Sequence, residues 1–298
     1  MVLPLWEHLG VRVLLGLFLL IGLMLAQTGA PVPNPNDGQV YICPMDPDVR
    51  SNNPGKCARC GMALKQGIPD PVEYHMDLKV SPRTPKPNET TDLTFEIHDP
   101  WKDRTVTKFQ EVHDKLFHLF VVSEDLEVFA HQHPTFGADG DFHHQFAFPK
   151  PGMYRLLGDF YPDGATPQLL TKTIIVPGDS PAPPKLVRDY STKTTENMTV
   201  ELTTDPPQPI VGTKTMMFFK VGPTDGFEKY LSAWGHMLVA SDDLIDLIHT
   251  HPFLADGGPQ VQFNVVFPRV GMYRVWVQFQ RSGVVNTARF DIPVEELK

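Results

Sequence analysis

The chain has 298 residues, of which 41% are hydrophobic and 20% charged, enough apolar material for the cores of about two domains. Its formal net charge of −9 argues against nucleic acid as a partner, because phosphate backbones demand a basic surface. Hydrolase, metalloprotease, phosphate-loop and dinucleotide motifs are all missing from the sequence. We therefore predict a protein that is not an enzyme.

The first segment, residues 1–30, predicts a helical secretory signal or membrane anchor. An apolar run of 14 residues from Val13 to Ala26 follows Arg12. That length fits the hydrophobic region of a signal better than a full span, which needs about 20 residues. Small residues near the end of the segment leave a cleaved signal and an uncleaved anchor both open. Either places the remainder outside the cytoplasm, in the periplasm, secreted or anchored, after a linker at residues 31–40.

All three cysteines lie in the next segment, residues 41–67, which we predict to be a small metal-binding knuckle. Cys57 and Cys60 form a Cys-x-x-Cys pair, and 13 residues separate Cys43 from Cys57. Such a pair brings two thiolates within reach of one ion, and Gly61 lets the backbone fold back over it. Thiolates select soft or borderline ions such as Cu(I) and Zn(II).

A tetrahedral ion needs a fourth ligand besides three thiolates. The nearby candidates are Met45, Met62 and Asp46, with His75 further along the chain. Two thioethers would favour Cu(I), whereas a carboxylate would favour Zn(II). A disulfide would leave one thiol over, and a thioredoxin-like redox pair lacks its βαβ surroundings here. A metal is therefore the stronger interpretation, with a structural zinc as its main rival.

The rest of the chain is duplicated around a proline-rich joint. Residues 118–134 align with residues 236–252, with eight of 17 positions identical, and residues 148–155 align with residues 267–274 at an offset only one residue larger. Retained order and spacing indicate a tandem duplication of one unit. Each copy has six or seven short strands separated by turn residues and lacks helical periodicity. We predict an all-β fold of two tandem immunoglobulin-like β-sandwiches, residues 72–177 and 185–298.

Each copy carries three histidines in the same arrangement, and we predict that all six bind metal. They are His118, His131 and His133 in the first copy and His236, His249 and His251 in the second. The His-x-His pair puts two side chains on one face of a strand. A tight turn centred between residues 124 and 125 would set His118 opposite His131, and likewise His236 opposite His249. Three imidazoles on one patch suit Zn, Cu or Ni.

The alternative interpretation is a hydrogen-bonded strand end that Pro134 or Pro252 stops. Four further histidines occur in the first copy without counterparts in the second. They are His98, His113, His143 and His144. We expect most of them to be ordinary surface residues, and any richer site or redox chemistry to belong to the first copy.

Two family resemblances follow from these motifs. The segment from Tyr41 to Leu64, with its Cys-Pro-Met and Cys-x-x-Cys-Gly-Met motifs, resembles the small heavy-metal-binding domain attached to copper and heavy-metal efflux pumps and their adaptors. It departs at Asp46, where that family usually has histidine. The two copies resemble the YtkA-like group of secreted immunoglobulin-like domains, in which a Ser-x-Asp-Leu turn and a His-x-His-Pro end recur. The resemblances imply β-sandwiches in a bacterial envelope protein that handles metal.

The sequence thus predicts an extracytoplasmic protein that binds, buffers or delivers copper or another soft or borderline heavy metal, with zinc as the other candidate ion. Its expected partners are metal ions and a metal-efflux or envelope membrane protein. An envelope adaptor with a structural zinc knuckle is the alternative, and a copper-dependent redox enzyme is a third hypothesis. The expected ligands are Cys43, Cys57, Cys60, Met45, Met62 and the six duplicated histidines.

Overall fold

The computed structural model describes residues 41–43, 49–51, 53–59, 61–66, 73–100, 103–163 and 165–297. Within these ranges the chain forms strands, turns and loops, which confirms the all-β prediction. None of the described residues belongs to a helix of the length and hydropathy that a membrane span requires. The expected N-terminal signal or anchor lies outside the described residues. The chain divides into one unit ending at Pro69 and another beginning at Asp70.

The strands of the described residues pair antiparallel within their sheets. In chain order they are β1 Tyr41–Ile42, β2 Arg50–Ser51, β3 Lys65–Gln66, β4 His75–Ser81, β5 Thr90–Asp99, β6 Arg104–Thr105, β7 Phe109–Gln110, β8 Phe117–Ser123, β9 Phe129–Gln132, β10 Thr135–Phe136, β11 Phe142–Ala147, β12 Gly152–Pro162, β13 Gln168–Val176, β14 Lys193–Thr194, β15 Thr199–Asp205, β16 Lys214–Gly222, β17 Phe227–Glu228, β18 His236–Ser241, β19 Leu247–Thr250, β20 Gln260–Val266, β21 Gly271–Arg281 and β22 Val284–Val294.

The first unit contains a small sheet in the order β2-β1-β3. In the second unit, the first copy forms two sheets. One has the order β10-β11-β5-β4, with β6 paired to β5, and the other has the order β13-β12-β8-β9, with β7 paired to β12. In β5, buried Leu93, Phe95 and Ile97 alternate with partly exposed polar residues, as a strand with one buried face requires. These side chains pack with Phe117 and Leu156 of the other sheet, so the core lies between the two sheets.

The second copy repeats this sandwich. Its sheets have the orders β14-β15-β16-β20 and β17-β21-β18-β19, with β22 paired to β21. Phe219 and Phe263 from the first of these sheets pack with Val277 and Phe279 from the second. The duplication predicted from the sequence is therefore a duplication of a two-sheet unit, whereas its immunoglobulin-like topology stays a prediction.

The central strands β8 and β18 are buried along their whole length. In β8, Leu119 and Val121 face the core of their own sandwich. Phe120 and Val122 point the other way and pack with Leu238 and the Trp276 indole of the second copy. The two sandwiches therefore meet along the outer faces of the β8 and β18 sheets, and burial of these apolar side chains holds them together.

Polar contacts complete the interface between the copies. The Arg274 guanidinium donates to the Leu126 carbonyl at 3.0 Å and to the Glu127 carboxylate at 2.8 Å. It also pairs with both carboxylate oxygens of Asp291 within its own copy. Arg274 is 5% exposed, so its charge depends on these partners rather than on water.

Candidate metal centre

The hairpin between β8 and β9 places the histidines of the first copy. Phe120 pairs with His131 across this hairpin, so the predicted pairing of His118 with His131 is wrong by two residues. The observed register sets His118 level with His133. Because side chains alternate with period two, a slip of two residues leaves all three histidines on the same face.

The second copy has the same register, since Leu238 pairs with His249. His236 is therefore level with His251 rather than opposite His249, which corrects the same prediction. In both copies the histidine face is the outer face of the sheet, the one that meets the other sandwich.

The register differs because the hairpin loop spans residues 124–127 instead of a two-residue turn. The backbone N–H of Ser123 donates to the Val128 carbonyl at 3.1 Å and closes the loop. Asp125 accepts from the Ser123 hydroxyl at 2.6 Å and from the Glu127 N–H at 3.2 Å. Leu126 has a φ of 62° and buries its side chain in the interface between the copies. Burial of this leucine offsets the cost of its left-handed backbone.

We call His118, His131 and His133 the first triad, and His236, His249 and His251 the second triad. In each triad, one ring nitrogen of every histidine lies within 4.8 Å of the other two. The structure thus brings together the three histidines predicted for each copy.

Hydrogen bonds decide which nitrogens the first triad offers. The Val112 carbonyl accepts from His118 Nε2 at 3.0 Å, so His118 Nδ1 carries a lone pair. The Gln278 side-chain carbonyl accepts from His131 Nδ1 at 2.8 Å, which leaves the lone pair on His131 Nε2. His133 Nε2 is buried without a hydrogen-bond partner. One lone pair or unpartnered nitrogen per histidine therefore points into the triad.

Two of these lone pairs face each other, because His118 Nδ1 lies 3.1 Å from His131 Nε2. Burial lowers the pKa of His118 to about 4 and that of His133 to about 3, and it lowers the pKa of His131 well below the usual value. The rings are neutral at pH 7, so no proton bridges the two nitrogens. A tetrahedral ion with 2.0–2.1 Å bonds to nitrogen would hold its ligand atoms about 3.3 Å apart. The His118–His131 pair is close to that spacing, and a nitrogen of His133 lies within 4.8 Å of both.

The second triad offers the same three nitrogens. The Tyr230 carbonyl accepts from His236 Nε2 at 3.0 Å, and Asp159 accepts from His249 Nδ1 at 2.5 Å. His249 Nε2 is buried without a hydrogen-bond partner. His236 Nδ1 lies 3.1 Å from His251 Nε2. Burial lowers the pKa of His236 to about 2 and strongly lowers that of His251, so these imidazoles too are neutral.

The carbonyls that orient His118 and His236 come from matching tight turns. His113 and Asp114 have φ values of 50° and 61°, and Leu231 and Ser232 have values of 48° and 60°. Two successive residues with positive φ are typical of the type I′ hairpin turn. The Ser232 hydroxyl donates to both Asp114 carboxylate oxygens at 2.7 Å, so the two turns touch across the interface.

His113 joins the second triad, which the sequence did not predict. Its ring lies 3.8 Å from that of His251 and 5.4 Å from that of His236, centroid to centroid. Burial lowers the pKa of His113 despite a hydrogen bond to the Leu231 carbonyl. The expectation that any richer site belongs to the first copy stays a prediction. A residue of the first copy extends the triad of the second, because the two sandwiches pack face to face.

The other three of the four further histidines of the first copy lie on the β10-β11-β5-β4 sheet. His143 bonds Asp139 at 3.0 Å and Thr94 at 3.2 Å on the surface, as expected of an ordinary exposed histidine. His98 faces Asp103 at 3.3 Å. His144 differs from both, because burial lowers its pKa and its Nε2 is buried without a hydrogen-bond partner.

A cleft of about 70 Å³ opens beside the triads. Both copies line it, with His113, His118, Lys115 and Asp159 from the first and His251 from the second. Members of both triads thus line one cleft.

In the knuckle of the first unit, Cys43 and Cys57 are both buried. The Arg59 backbone N–H points at Cys57 Sγ over 3.4 Å, and the Cys57 N–H donates to the Met62 carbonyl at 2.8 Å. Gly61, with φ 76°, donates to the Cys57 carbonyl at 2.9 Å and makes the tight turn predicted for it. Met62 is 41% exposed. The predicted ligands Cys60 and Met45, like Asp46, lie outside the described residues.

Comparison with known families adds to this geometry. Residues 40–66 match the family described as a heavy metal binding domain, which confirms the resemblance seen in the cysteine segment. Residues 71–175 and 193–296 each match a domain of unknown function, DUF8832. The chain belongs to the DUF8832 family. The two tandem matches also confirm the duplication, whereas the likeness of each DUF8832 repeat to the YtkA-like group stays a resemblance.

A copper-transporting P-type ATPase of Rhizobium leguminosarum bv. viciae is 51% identical to the DUF8832 protein over 43 residues, which are 14% of this chain and 5% of that protein. Together with the heavy metal binding domain, this relative supports a metal-binding role for the chain.

Among solved structures, the FdeC adhesin of Escherichia coli is 14% identical, with a TM-score of 0.26, over 78% of this chain and 69% of that one. A two-domain fibronectin type III segment of chicken tenascin is 12% identical, with a TM-score of 0.23, over 74% and 99%. At these scores neither likeness carries an argument about function.

Proposed function

We propose that this DUF8832 protein is an extracytoplasmic metal-handling protein that binds, buffers or delivers copper, with zinc as the other candidate ion. The observation that carries the proposal is that each repeat brings three imidazole nitrogens within 4.8 Å of one another. Neutral imidazole is a ligand for both metals. The heavy metal binding domain at residues 40–66 supports a second, thiolate-based site in the same chain.

The donor set favours handling of an ion over permanent storage. Three protein ligands leave a fourth coordination position open, as in exchangeable rather than closed structural sites. The cleft lined by His118 and His251 gives a partner's ligand or a water a path to that position. An ion held in this way can be passed on by ligand exchange.

Two observations support a location outside the cytoplasm and a membrane partner. The apolar run at residues 13–26 supports export or anchoring through a signal or membrane helix. The relative over the cysteine segment is a copper-transporting ATPase. We therefore propose a membrane metal-efflux or envelope protein as the partner that supplies or receives the ion, with the immunoglobulin-like repeats as the carrier.

The stoichiometry of the full chain tests this function. Reduced protein, titrated with Cu(I) or Zn(II) against a chromophoric chelator, is expected to bind more than one ion, because it has a thiolate site and two triads. A variant with Cys43→Ser, Cys57→Ser and Cys60→Ser is expected to lose the thiol-dependent ion and keep the others.

The matched control leaves the cysteines intact and removes one ligand from each triad, as His118→Ala with His236→Ala. That variant is expected to keep the thiol-dependent ion and lose the others. If wild type instead holds a single inert zinc and the cysteine variant holds none, the metal-handling function is wrong. The protein is then an adaptor with a structural knuckle.

Metal loading is also expected to stabilise the sandwiches. A triad exposed to free Zn(II) at 100 times its Kd gains about 2.7 kcal/mol, since the ion binds the folded form. For a domain pair of this size that corresponds to a rise in Tm of about 5–10 °C. Thermal denaturation with and without metal measures the shift, and a chelator should reverse it. The His118→Ala, His236→Ala variant should show no rise from the sandwiches, and an equal rise there would contradict the assignment.

A further inference from the structure

Their positions in the sequence suggested that the two triads are separate patches, but in the structure they lie side by side. The rings of His131 and His236 lie 5.4 Å apart, and those of His118 and His249 lie 5.8 Å apart. Within the first triad, His118 and His131 are 5.3 Å apart. Rings from different repeats thus lie about as far apart as His118 and His131 do within one repeat, and one cluster of rings contains both triads.

Each repeat also orients the middle histidine of the other. Gln278, in the second repeat, accepts the Nδ1 hydrogen of His131, and Asp159, in the first repeat, accepts that of His249. Asp159 pairs with His118 across β12 and β8, and Gln278 pairs with His236 across β21 and β18. The two acceptors therefore occupy equivalent positions in the duplicated unit and make a reciprocal pair of contacts.

Resting on the proposed function, we infer that the two triads form one six-histidine centre for two ions, assembled across the repeat interface, in which each repeat orients the central imidazole of the other. The centre accepts two monovalent copper ions more readily than two divalent ions. Its two positions differ in affinity, because one has a carboxylate and the other an amide behind its central histidine.

The groups around the cluster carry little negative charge to balance bound cations. Imidazoles supply no negative charge, and among the described residues Asp159 is the carboxylate that hydrogen-bonds to either triad. Lys115 lines the same cleft with a positive charge. At any one separation, two divalent ions repel each other about four times as strongly as two monovalent ions, and burial reduces screening. One carboxylate compensates two monovalent ions far better than two divalent ones.

The inequivalence rests on the identity of the two acceptors. A carboxylate that accepts the other ring hydrogen of a metal-bound histidine makes the imidazole a stronger donor, and loss of such a partner costs about 10- to 100-fold in affinity. His249 has this partner in Asp159, whereas His131 has the neutral amide of Gln278. The second triad is therefore the tighter position for a first divalent ion.

The test measures each triad alone in the full chain with the cysteines changed to serine. His118→Ala with His133→Ala leaves the second triad, and His236→Ala with His251→Ala leaves the first. Adding Asp159→Asn, in the first repeat, is expected to weaken Zn(II) binding by the second triad about 10-fold or more. It should change binding by the first triad less than about threefold.

The reciprocal substitution is expected to raise metal affinity. A substitution that only disturbs packing would lower it, so the two effects can be told apart. Gln278→Glu, in the second repeat, puts a carboxylate behind His131 and is expected to raise the Zn(II) affinity of the first triad about 10-fold. The ¹⁵N shifts of the His131 ring in the zinc-loaded protein should move toward those of His249. If Asp159→Asn weakens its own repeat's triad instead, or if Gln278→Glu changes neither affinity nor shifts, the cross-repeat assembly is wrong.

Coupling is measured with both triads intact. In the protein with both triads, the affinity for a second Zn(II) is expected to be at least about 100-fold lower than the Zn(II) affinity of the protein that keeps the first triad alone. Two Cu(I) ions, in contrast, are expected to fill the centre together. Two Zn(II) ions bound with their single-triad affinities would overturn the coupled centre. Failure of every single-triad protein to bind metal would instead reject the proposed function, so the two failures are distinguishable.

Discussion

Alanine in place of His236 is expected to lower the affinity of the second triad for Cu(I) or Zn(II) by at least about 100-fold. Loss of an outer partner of a ligand already costs about 10- to 100-fold, and loss of the ligand itself removes a metal bond. His236 is 1% exposed, and the Tyr230 carbonyl holds its Nε2 so that its Nδ1 faces His251 Nε2 at 3.1 Å. Competition titration in the His118→Ala, His133→Ala background measures the loss.

His143→Ala is the matched control for this prediction. His143 also lies on a strand of the DUF8832 repeats and hydrogen-bonds a carboxylate, but it is exposed and stands in the other sheet of the first sandwich. Its removal should leave metal affinity within about twofold, since it is neither a ligand nor an outer partner of one. An equal loss in both variants would mean that histidines bind metal non-specifically over the surface.

Methionine in place of Arg274 is expected to lower the free energy of unfolding by about 3–5 kcal/mol, because breaking a buried ion pair leaves its partner uncompensated. Asp291 is 8% exposed and receives two hydrogen bonds from the guanidinium. The same substitution removes the contacts to Leu126 and Glu127 across the repeat interface. Urea denaturation followed by tryptophan fluorescence measures the change.

The duplication supplies the control, since Arg155 occupies the equivalent position in the first repeat. Its guanidinium donates to Thr171 and Thr173 hydroxyls at the surface instead of pairing with a buried acid. Arg155→Met is expected to cost less than about 1 kcal/mol. If the two substitutions cost the same, the interface contacts of Arg274 contribute nothing beyond ordinary surface hydrogen bonding.

Several features of the fold could be predicted because they depend on local pattern. The His-x-His spacing places His131 and His133 on one face of a strand whatever the register, because side chains alternate. His118 stays on that face because the observed pairing of β8 with β9 differs from the predicted one by two residues, and a shift by two keeps a side chain on the same face. The Cys-x-x-Cys-Gly motif likewise indicated the turn at Gly61, whose positive φ a glycine adopts readily.

The hairpin register could not be predicted, because it depends on Leu126 and Leu244. Both leucines take positive φ values, 62° and 55°, which a leucine rarely adopts and which no sequence pattern signals. Each does so because its side chain is buried against the other repeat. A signal for that interface was present nonetheless. The run from Phe117 to Val122 is apolar with almost no alternation, as expected of a strand buried on both faces.

The sequence by itself determined the all-β class, the duplication, the resemblance of the cysteine segment to a heavy metal binding domain and the membership of each triad, because these follow from residue type and short spacing. Only the tertiary structure decided that the rings of the two triads lie beside each other, that His113 contacts the second triad, and that Asp159 and Gln278 hydrogen-bond to histidines of the opposite repeat. His131 and Gln278 are 147 residues apart. Their contact exists because two apolar sheet faces dock, and docking geometry is a property of whole surfaces that no local pattern encodes.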